Sequence, residues 1–208
     1  MEVIVTHFKP FFLGMLICIA GYVLFYIIIA FSQIYAKSAP SQSEAGYAMG
    51  LGFSPQIFTA LLMYSAVSLA ISITISGKCI DKIGRRIWLI WTTVAVAIFG
   101  LALPYFLENG TTVSLFWFLI IGMGLIGMGY GPLSSFLPEL FPTHVRYSGA
   151  SLTYNIAGLF GASVAAIIAL PLNANYGLKG VGIYLTLNAV LSLIGLWFIT
   201  ETRDRQLL

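Results

Sequence analysis

The residues that could do chemistry in this chain are few, and the most regular group lies at residues 77–86. This segment fits the pattern G-x-x-x-D-[KR]-x-G-R-[KR]. Glycine permits a tight reversal, Asp can cap a helix or face its positive end, and arginine binds carboxylates through charge-assisted hydrogen bonds. The pattern predicts a short turn that forms ion pairs, carried by Gly77, Asp81, Lys82, Gly84, Arg85 and Arg86. The alternative, that the bases only anchor the chain at a membrane surface, leaves the glycines and the Asp unexplained.

Catalytic and metal-binding groups are absent from the long apolar stretches of the sequence. Those stretches contain no Asp, Glu, Lys, Arg or His, and His7 and His144 lie near their ends. An intramembrane protease needs an acid pair, a metal cluster or a Ser/His dyad, and proton relays use buried acids or His. We therefore expect no enzyme activity, no cofactor and no metal. Cys18 and Cys79 form no motif and predict neither a disulfide nor a metal site.

A glycine-rich run in one apolar stretch imitates a nucleotide-binding pattern. Gly122, Gly124 and Gly127 spell G-x-G-x-x-G, but that pattern requires a preceding strand and an acid about 20 residues later. Small residues in a membrane helix instead let neighbouring helices approach closely. The run therefore predicts a helix-packing face, and Pro132 after it predicts a kink or a break.

The elements that must position these residues follow from the composition. Of the 208 residues, 59% are hydrophobic and 8% are charged, whereas soluble domains carry roughly 25% charged residues. Six stretches of at least 21 residues contain no charged residue, and a helix needs about 20 residues to cross a bilayer. Barrel strands would be about 10 residues long, and a signal peptide core about 7 to 15. The sequence predicts an all-α, polytopic membrane protein with six transmembrane helices.

The six predicted spans form a single domain over residues 1–208, and one sizeable loop, residues 37–52, lies on the outer face. Two stripes of small or polar residues predict faces where helices pack together. They are Ser65, Ser68, Ser72 and Ser76 on the second span, and Tyr184, Asn188, Ser192 and Gly195 on the sixth span. The predicted spans are residues 10–36, 53–76, 87–107, 113–137, 147–172 and 181–200.

The basic residues predict the orientation of these spans. If the spans alternate in direction, one side receives eight Lys and Arg and the other receives only Lys37 and Lys179. The positive-inside rule then places both termini in the cytoplasm. We expect a multi-pass protein of the cell (inner) membrane whose basic face is attracted to anionic lipid headgroups. No basic patch suited to nucleic acid is seen in the sequence.

Two segments carry a family resemblance. Residues 77–86 resemble the signature that major facilitator superfamily transporters carry between the second and third helices of each six-helix half. Residues 138–151, PELFPTHVRYSGAS, are similar to a stretch between helices ten and eleven of the metabolite:proton symporter family, and the sugar porters share its P-E-x-F-P-x-x-x-R core. Phe-Tyr at 25–26 and Glu-Thr-Arg at 201–203 also resemble that family. The resemblance covers essentially the whole chain, as helices seven to twelve.

The resemblance implies half of a twelve-helix secondary transporter. Members of the family carry small polar metabolites such as dicarboxylates, shikimate, proline or betaine, usually with a proton. Their coupling charges lie mainly in the N-terminal half, which agrees with the uncharged spans found here. The chain is then a fragment or gene remnant, or it pairs with a missing N-terminal six-helix half or with itself.

The same resemblance implies a cytoplasmic gate. Asp81 would face the start of the fifth helix, just after Arg146, while Arg85 or Arg86 would pair with Glu139 in the outward-open state. Exposed pairs contribute only about 0 to 1 kcal/mol, but alternation needs just a few kcal/mol between states. We expect Asp81→Ala or Arg85→Ala to impair transport or to bias the carrier inward-open.

Polar residues within the spans predict a substrate cavity. Three of them lie within about 40° of one another on the first helix, at 3.6 residues per turn, and others lie on the fourth and fifth helices. Both polar faces could border a site at the midplane, where transporters bind their cargo. Interhelical hydrogen bonding, about 0.6 kcal/mol each, is an equally good explanation for any single residue. The candidates are Tyr22, Tyr26, Gln33, Tyr130, Ser151 and Asn155.

Two further function classes remain open. A non-transporting six-helix membrane assembly protein would also explain a half-length chain. A channel would need a polar or charged lining through its pore, which is not apparent in the sequence.

Overall fold

The computed structural model describes residues 6–199. Over that range the chain is helical and contains no strand, apart from one isolated bridge between Gln42 and Ala48. Five continuous helices in this range are long and apolar enough to cross a membrane, and the all-α membrane class is therefore confirmed. They are α1 (Phe8–Lys37), α2 (Pro55–Ile83), α3 (Arg85–Glu108), α4 (Thr112–Glu139) and a last helix, Arg146–Phe198.

The last helix reverses its direction at Gly177. This residue has φ 67° and ψ −170° within an otherwise helical segment, a conformation that glycine adopts without steric cost. We name the two limbs α5 (residues 146–176) and α6 (residues 178–198). The predicted eight-residue turn at 173–180 is therefore wrong in its extent, since only one residue leaves the helical conformation.

Contacts with α1 show that the two limbs pass the same level of the bundle. Gly161 in α5 packs against Tyr22, and the Ser192 hydroxyl in α6 accepts from the backbone N–H of Ala20. In a straight helix, residues 161 and 192 would lie about 46 Å apart at 1.5 Å per residue. Because both reach the same turns of α1, the five helices contain six apolar limbs, in the order that the sequence predicts.

The helix ends differ from the predicted spans because a helix does not have to stop where an apolar stretch stops. Ser54 and Thr111 cap α2 and α4 with their hydroxyls, which accept from the backbone N–H groups three residues ahead. At its other end, α2 continues to Ile83, so the predicted loop at 77–86 is mostly helical. Gly84 alone makes the reversal into α3, with φ 102°. The predicted role of Gly77 in this turn is wrong, since Gly77 lies inside α2.

Two π turns interrupt the helices. They occupy Ile27–Phe31 in α1 and Leu159–Ser163 between the two α-helical parts of α5. A π turn holds one more residue than an α turn, and it therefore rotates all following side chains by about 100° around the axis. The α4 helix, in contrast, runs as one α-helix through Pro132. Of the predicted kink or break at this residue, the break does not occur.

Small residues bring α2 and α4 together. The Ser68 hydroxyl donates to the carbonyl of Ile120 over 3.0 Å. A Cβ atom built on Gly127 would lie 2.6 Å from the carbonyl oxygen of Leu69. Gly124 and Gly127 of α4 therefore form a packing interface with the serine stripe of α2, whereas Gly122 packs against Ile28 of α1. The predicted helix-packing role of the glycine run and of the serines is confirmed.

A second close approach joins α6 to α3 and α1. The Thr186 hydroxyl donates to the carbonyl of Ala97, and a Cβ on Gly100 would lie 2.9 Å from the carbonyl oxygen of Gly182. Gly195 meets Leu16 on α1. The predicted seam on the sixth span is confirmed for Ser192 and Gly195.

The outer surface of the bundle is apolar. Large side chains such as Met63, Trp91 and Ile98 are more than 60% exposed. In water such a surface would drive association, whereas in lipid it is the expected covering of membrane helices.

The closing residues 201–203, which carry part of the family resemblance, lie outside the described residues.

Candidate functional site

An ion pair joins two helix ends where α2 turns into α3. Arg85, the first residue of α3, places Nη2 3.2 Å from Oε1 of Glu139, the last residue of α4. The two side chains are only 20% and 16% exposed. Of the two alternatives that the sequence left open, Arg85 rather than Arg86 contacts the acid.

Arg86 binds a different element. Its Nε donates to the carbonyl of Leu196 over 2.8 Å, and its Nη2 donates to the carbonyl of Trp197 over 3.0 Å. These carbonyls belong to the last turn of α6, where a helix has unsatisfied acceptors and a partial negative charge. Arg86 therefore ties the start of α3 to the end of α6.

The remaining residues of the 77–86 pattern have simpler surroundings. Asp81 and Lys82 are exposed on the last turn of α2. Within residues 6–199, Asp81 forms no ion pair. The expected approach of Asp81 to the start of α5, next to Arg146, is therefore not seen in this conformation.

A cavity of about 380 Å³ lies in the middle of the bundle. The limbs α1 to α5 contribute to its wall, mostly with aliphatic side chains. None of the residues lining it is an Asp, Glu, Lys, Arg or His. Its polar groups are the thiol of Cys18 and the hydroxyls of Tyr22, Thr92, Thr93, Tyr130 and Tyr154.

Three tyrosines from three helices meet at this inner cavity. The rings of Tyr22 on α1 and Tyr154 on α5 have centroids 5.1 Å apart, and their planes are tilted by 59°. Tyr130 on α4 lines the same cavity. Tyr130 is 53% exposed on α4, so the cavity reaches the bundle surface beside it. Tyr22 and Tyr130 were predicted as cavity residues, whereas Tyr154 was missed.

The π turn separates one residue of the predicted polar face of α1 from the other two. Tyr22 borders the inner cavity, but the Tyr26 hydroxyl donates to the carbonyl of Ala166 over 3.4 Å. Gln33 follows the π turn at Ile27–Phe31 and lines neither of the two cavities. Tyr22 and Tyr26 both precede the π turn and keep their α-helical spacing. The predicted grouping is therefore wrong only for Gln33, which the extra residue in the π turn rotates away.

A second cavity of about 600 Å³ adjoins the first one, where α4 ends and α5 begins. We call it the outer cavity because of its place in the bundle; the name does not refer to a side of the membrane. The two share Leu133 and Tyr154 in their walls. Ser151 and Asn155 line the outer cavity, and the Asn155 side chain donates to the carbonyl of Ser151 over 2.8 Å. The structure therefore places these two predicted residues together, in a cavity separate from that of Tyr22.

Arg146 supplies the charge of the outer cavity. It is the first residue of α5, so its guanidinium lies beside the positive end of that helix. Within the described part of the chain, its buried Nε has no hydrogen-bond partner. A guanidinium at a helix start favours an anionic group in this cavity.

Sequence reasoning missed one further contact. His7, just before α1, and His144, in the loop after α4, have ring centroids 6.1 Å apart in an edge-to-face arrangement. They are 137 positions apart in the sequence, so no spacing rule could pair them. Among residues 6–199, no group of three or more His, Cys, Asp or Glu side chains could hold a metal ion.

Apolar helices around two adjoining cavities, with an ion pair at one end, are the arrangement of a polytopic membrane protein. The model of the sugar (and other) transporter family matches residues 45–208. The chain belongs to this family, which is part of the major facilitator superfamily.

Similar proteins come from several bacteria. A Haemophilus influenzae protein whose name assigns it to metabolite transport is 87% identical over 207 residues, which are 100% of this chain and 46% of that protein. The inner membrane metabolite transport protein YhjE of Escherichia coli is 38% identical over 97% of this chain and 44% of its own length. A proline/betaine transporter of Escherichia coli is 30% identical over 77% of this chain and 34% of its own length.

The chain thus spans about half the length of the curated relatives it matches. No solved structure matches it significantly.

Proposed function

We propose that this chain is the C-terminal six-helix half of a secondary transporter for a small polar metabolite. It lies in the inner membrane with both termini in the cytoplasm. Family membership and the relatives' names support the transport of metabolites. The ion pair between Arg85 and Glu139 is the observation that carries the proposal, because it joins two helix ends beside the cavities without filling them.

The ion pair holds two helix ends together on the cytoplasmic side. While Arg85 holds Glu139, the ends of α3 and α4 stay together, and Arg86 holds the end of α6 to the same point. Breaking and re-forming such contacts changes the balance between two states by a few kcal/mol, which is enough to shift their populations. In the alternative state, Asp81 would approach the start of α5 instead. We therefore expect Arg85→Ala and Asp81→Ala to impair uptake or to favour the inward-open state, and unchanged uptake by both variants would contradict this mechanism.

A complete pathway requires a second six-helix unit. Tyr130 and Phe25 at the inner cavity are 53% and 48% exposed, so the cavity lacks a wall on that side. A missing N-terminal half, or a second copy of this chain, would supply the wall. Proton coupling would rest on that unit, since none of the residues lining the inner cavity is an acid or a His.

Uptake measurements test the proposal. The chain is expressed alone and together with the part of the Haemophilus influenzae relative that it does not match, in cells lacking other carriers for the labelled solutes. Labelled succinate, shikimate, proline and glycine betaine are supplied in turn. We expect uptake of at least one solute only when both parts are present. No uptake in either case overturns the proposal and favours a non-transporting assembly protein or a gene remnant.

Thiol labelling tests the orientation. Cys79 lies near the end of α2, on the proposed cytoplasmic side, and is partly exposed, whereas Cys18 is buried. In a Cys18→Ala background, a membrane-impermeant maleimide should label Cys79 in inside-out vesicles and not in intact cells. The opposite pattern would reverse the proposed orientation. A cysteine placed at Glu44, in the opposite loop, provides the matched control.

A further inference from the structure

We propose that the outer cavity is a binding site for a phosphate-type oxyanion, held by Arg146 and the start of α5. The oxyanion is the phosphate of a lipid headgroup or of a free phosphate compound, and either one would make the same contacts. The inference goes beyond the proposed function, because it names a second ligand that is not the transported solute.

The charge of Arg146 is not compensated by the protein. It is the one charged side chain among the described residues that line this cavity. Within residues 6–199, no carboxylate forms an ion pair with it, and its buried Nε has no hydrogen-bond partner. Taking a guanidinium out of water without a counter-charge is costly. A bound anion would supply that counter-charge.

The other two arginines in this range have protein partners. Arg85 contacts Glu139, and Arg86 donates to two carbonyls at the end of α6. Glu139 follows Pro138 of the cavity wall, but it does not line the cavity itself, and Arg85 holds its carboxylate. The neighbouring acid therefore does not take the place of a ligand at Arg146.

The start of α5 adds further donors. Val145 provides no side-chain cap for this helix, and its first turn contains no acid, whereas Ser54 and Thr111 cap α2 and α4. Uncapped N–H groups at a helix start bind anions. On the same wall, the Ser151 hydroxyl accepts from the Asn155 side chain over 3.5 Å and donates to no described residue, so its proton is available to a ligand.

These donors favour a phosphate over a carboxylate. A guanidinium fork binds two oxygens of an oxyanion in one plane. A carboxylate has only those two oxygens, whereas a phosphate has others that can also accept from helix N–H groups and a hydroxyl.

The size of the outer cavity leaves room for a group attached to the phosphate. A water molecule takes up about 30 Å³ in the liquid, and the cavity measures about 600 Å³. Leu133, Leu137 and Ala150 form an apolar part of its wall. The carbon atoms of a phosphate ester can therefore pack there while the phosphate contacts Arg146.

Thermal unfolding of the purified full chain in dodecyl maltoside, a detergent without phosphate, tests the inference. A ligand that binds the folded chain raises the unfolding temperature as its concentration rises. The probes are inorganic phosphate, succinate and chloride at equal ionic strength. We expect phosphate to bind at least tenfold more tightly than succinate or chloride. Equal affinity for phosphate and either of the other anions overturns the inference, because a general salt or charge effect would then explain binding.

Two further probes distinguish the sources of the phosphate. They are glycerol 3-phosphate in solution and phosphatidylglycerol added to the micelles. Stabilisation by phosphatidylglycerol that leaves no further effect of inorganic phosphate assigns the site to a lipid headgroup. Stabilisation by glycerol 3-phosphate but not by the lipid assigns it to a free compound. No stabilisation by inorganic phosphate, glycerol 3-phosphate or the lipid overturns the inference.

Variants of Arg146 assign the site. Arg146→Gln should weaken phosphate binding at least tenfold, and Arg146→Lys, which keeps the charge but loses the planar fork, about threefold. Lys78→Gln is the matched control, because it removes one positive charge from an exposed position outside the cavity; its affinity should stay within about twofold of wild type. Unchanged phosphate affinity in folded Arg146→Gln overturns the inference.

The serine of the same wall provides a second test if Arg146→Gln does not fold. Ser151→Ala removes one hydroxyl donor and should weaken phosphate binding about threefold. Unchanged affinity in both Ser151→Ala and Arg146→Lys overturns the inference.

An acid from a second six-helix unit is the competing partner for Arg146. The phosphate titration is therefore repeated with the complementing part of the Haemophilus influenzae relative bound to the chain. We expect phosphate to stabilise this assembly too, and Arg146→Gln to remove the effect. Loss of the phosphate effect on assembly overturns the inference in favour of a contact between the two units. The uptake of any solute does not enter these outcomes, so failure of the proposed function is scored separately.

Discussion

Arg85 and Glu139 join the first residue of α3 to the last residue of α4, with 3.2 Å between Nη2 and Oε1. Both side chains are mostly buried, which places the pair between two known extremes. Exposed ion pairs contribute about 0 to 1 kcal/mol, whereas removing one partner of a buried pair costs about 3 to 5 kcal/mol. Exchanging the two charges separates the pairing energy from these costs.

We expect Arg85→Glu and Glu139→Arg each to lower the free energy of unfolding, and the double variant to recover part of the loss. The coupling energy from the double-mutant cycle should be about 1 to 2 kcal/mol, measured by unfolding in mixed detergent micelles. Asp81→Asn is the control, since Asp81 is exposed and its replacement should change stability by less than about 0.5 kcal/mol. Strictly additive effects of the two charge reversals would show that the pair contributes nothing.

Gly84 and Gly77 should respond in opposite directions to alanine. Gly84 has φ 102°, and a side chain there costs about 1 to 3 kcal/mol of stability. Gly77 lies inside α2, and a Cβ built on it meets nothing within 4 Å, so alanine should stabilise the helix by about 0.5 to 1 kcal/mol. Unfolding of the two variants under identical conditions measures the difference. If Gly77→Ala lowered the free energy of unfolding, the result would support the predicted turn at Gly77 instead of a continuous helix.

Gly127 and Gly129 test the packing of α4 against α2. A Cβ on Gly127 would lie 2.9 Å from the Cβ of Ser72, whereas one on Gly129 meets nothing closer than 3.8 Å. Gly127→Ala should therefore lower the free energy of unfolding by about 1 to 3 kcal/mol, the usual cost of overpacking. Gly129→Ala, two residues away on the same helix, is the matched control and should be neutral or stabilising by up to about 1 kcal/mol. Similar losses in both variants would mean that general helix properties, not the α2 contact, set the cost.

Ser192 should be the most sensitive hydroxyl of α6. It donates to the carbonyl of Leu16 over 2.6 Å and accepts from the N–H of Ala20 over 3.1 Å. Leu16 and Ala20 are four residues apart, so these two backbone groups are those of one i to i+4 pair in α1. Ser192→Ala should cost about 1 kcal/mol, near the upper part of the range for hydrogen bonds between membrane helices. The control is Thr74→Ala, because the exposed Thr74 hydroxyl donates only within its own helix. An equal, small effect of both changes on unfolding would contradict the bridging role of Ser192.

The candidate site was predictable only in part. The pattern at residues 77–86 identified an ion-pairing segment, but Arg85 and Arg86 are equivalent in the sequence and separate only when α4 and α6 are in place. Tyr22 and Tyr130 were found as polar residues in apolar spans. Tyr154 was missed because its role depends on contact with Tyr22, 132 positions away in the sequence.

The sequence by itself determined the all-α membrane class, the number and order of the apolar limbs and the packing role of the small residues. These properties follow from the transfer of side chains and backbone between water and lipid, which depends on composition along the chain. The tertiary structure alone decided the single-residue turns at Gly84 and Gly177, the rotation of Gln33 by a π turn, and the division of the polar residues between two cavities. Those features depend on contacts between helices distant in sequence, because the packing of each helix against its neighbours selects its local geometry.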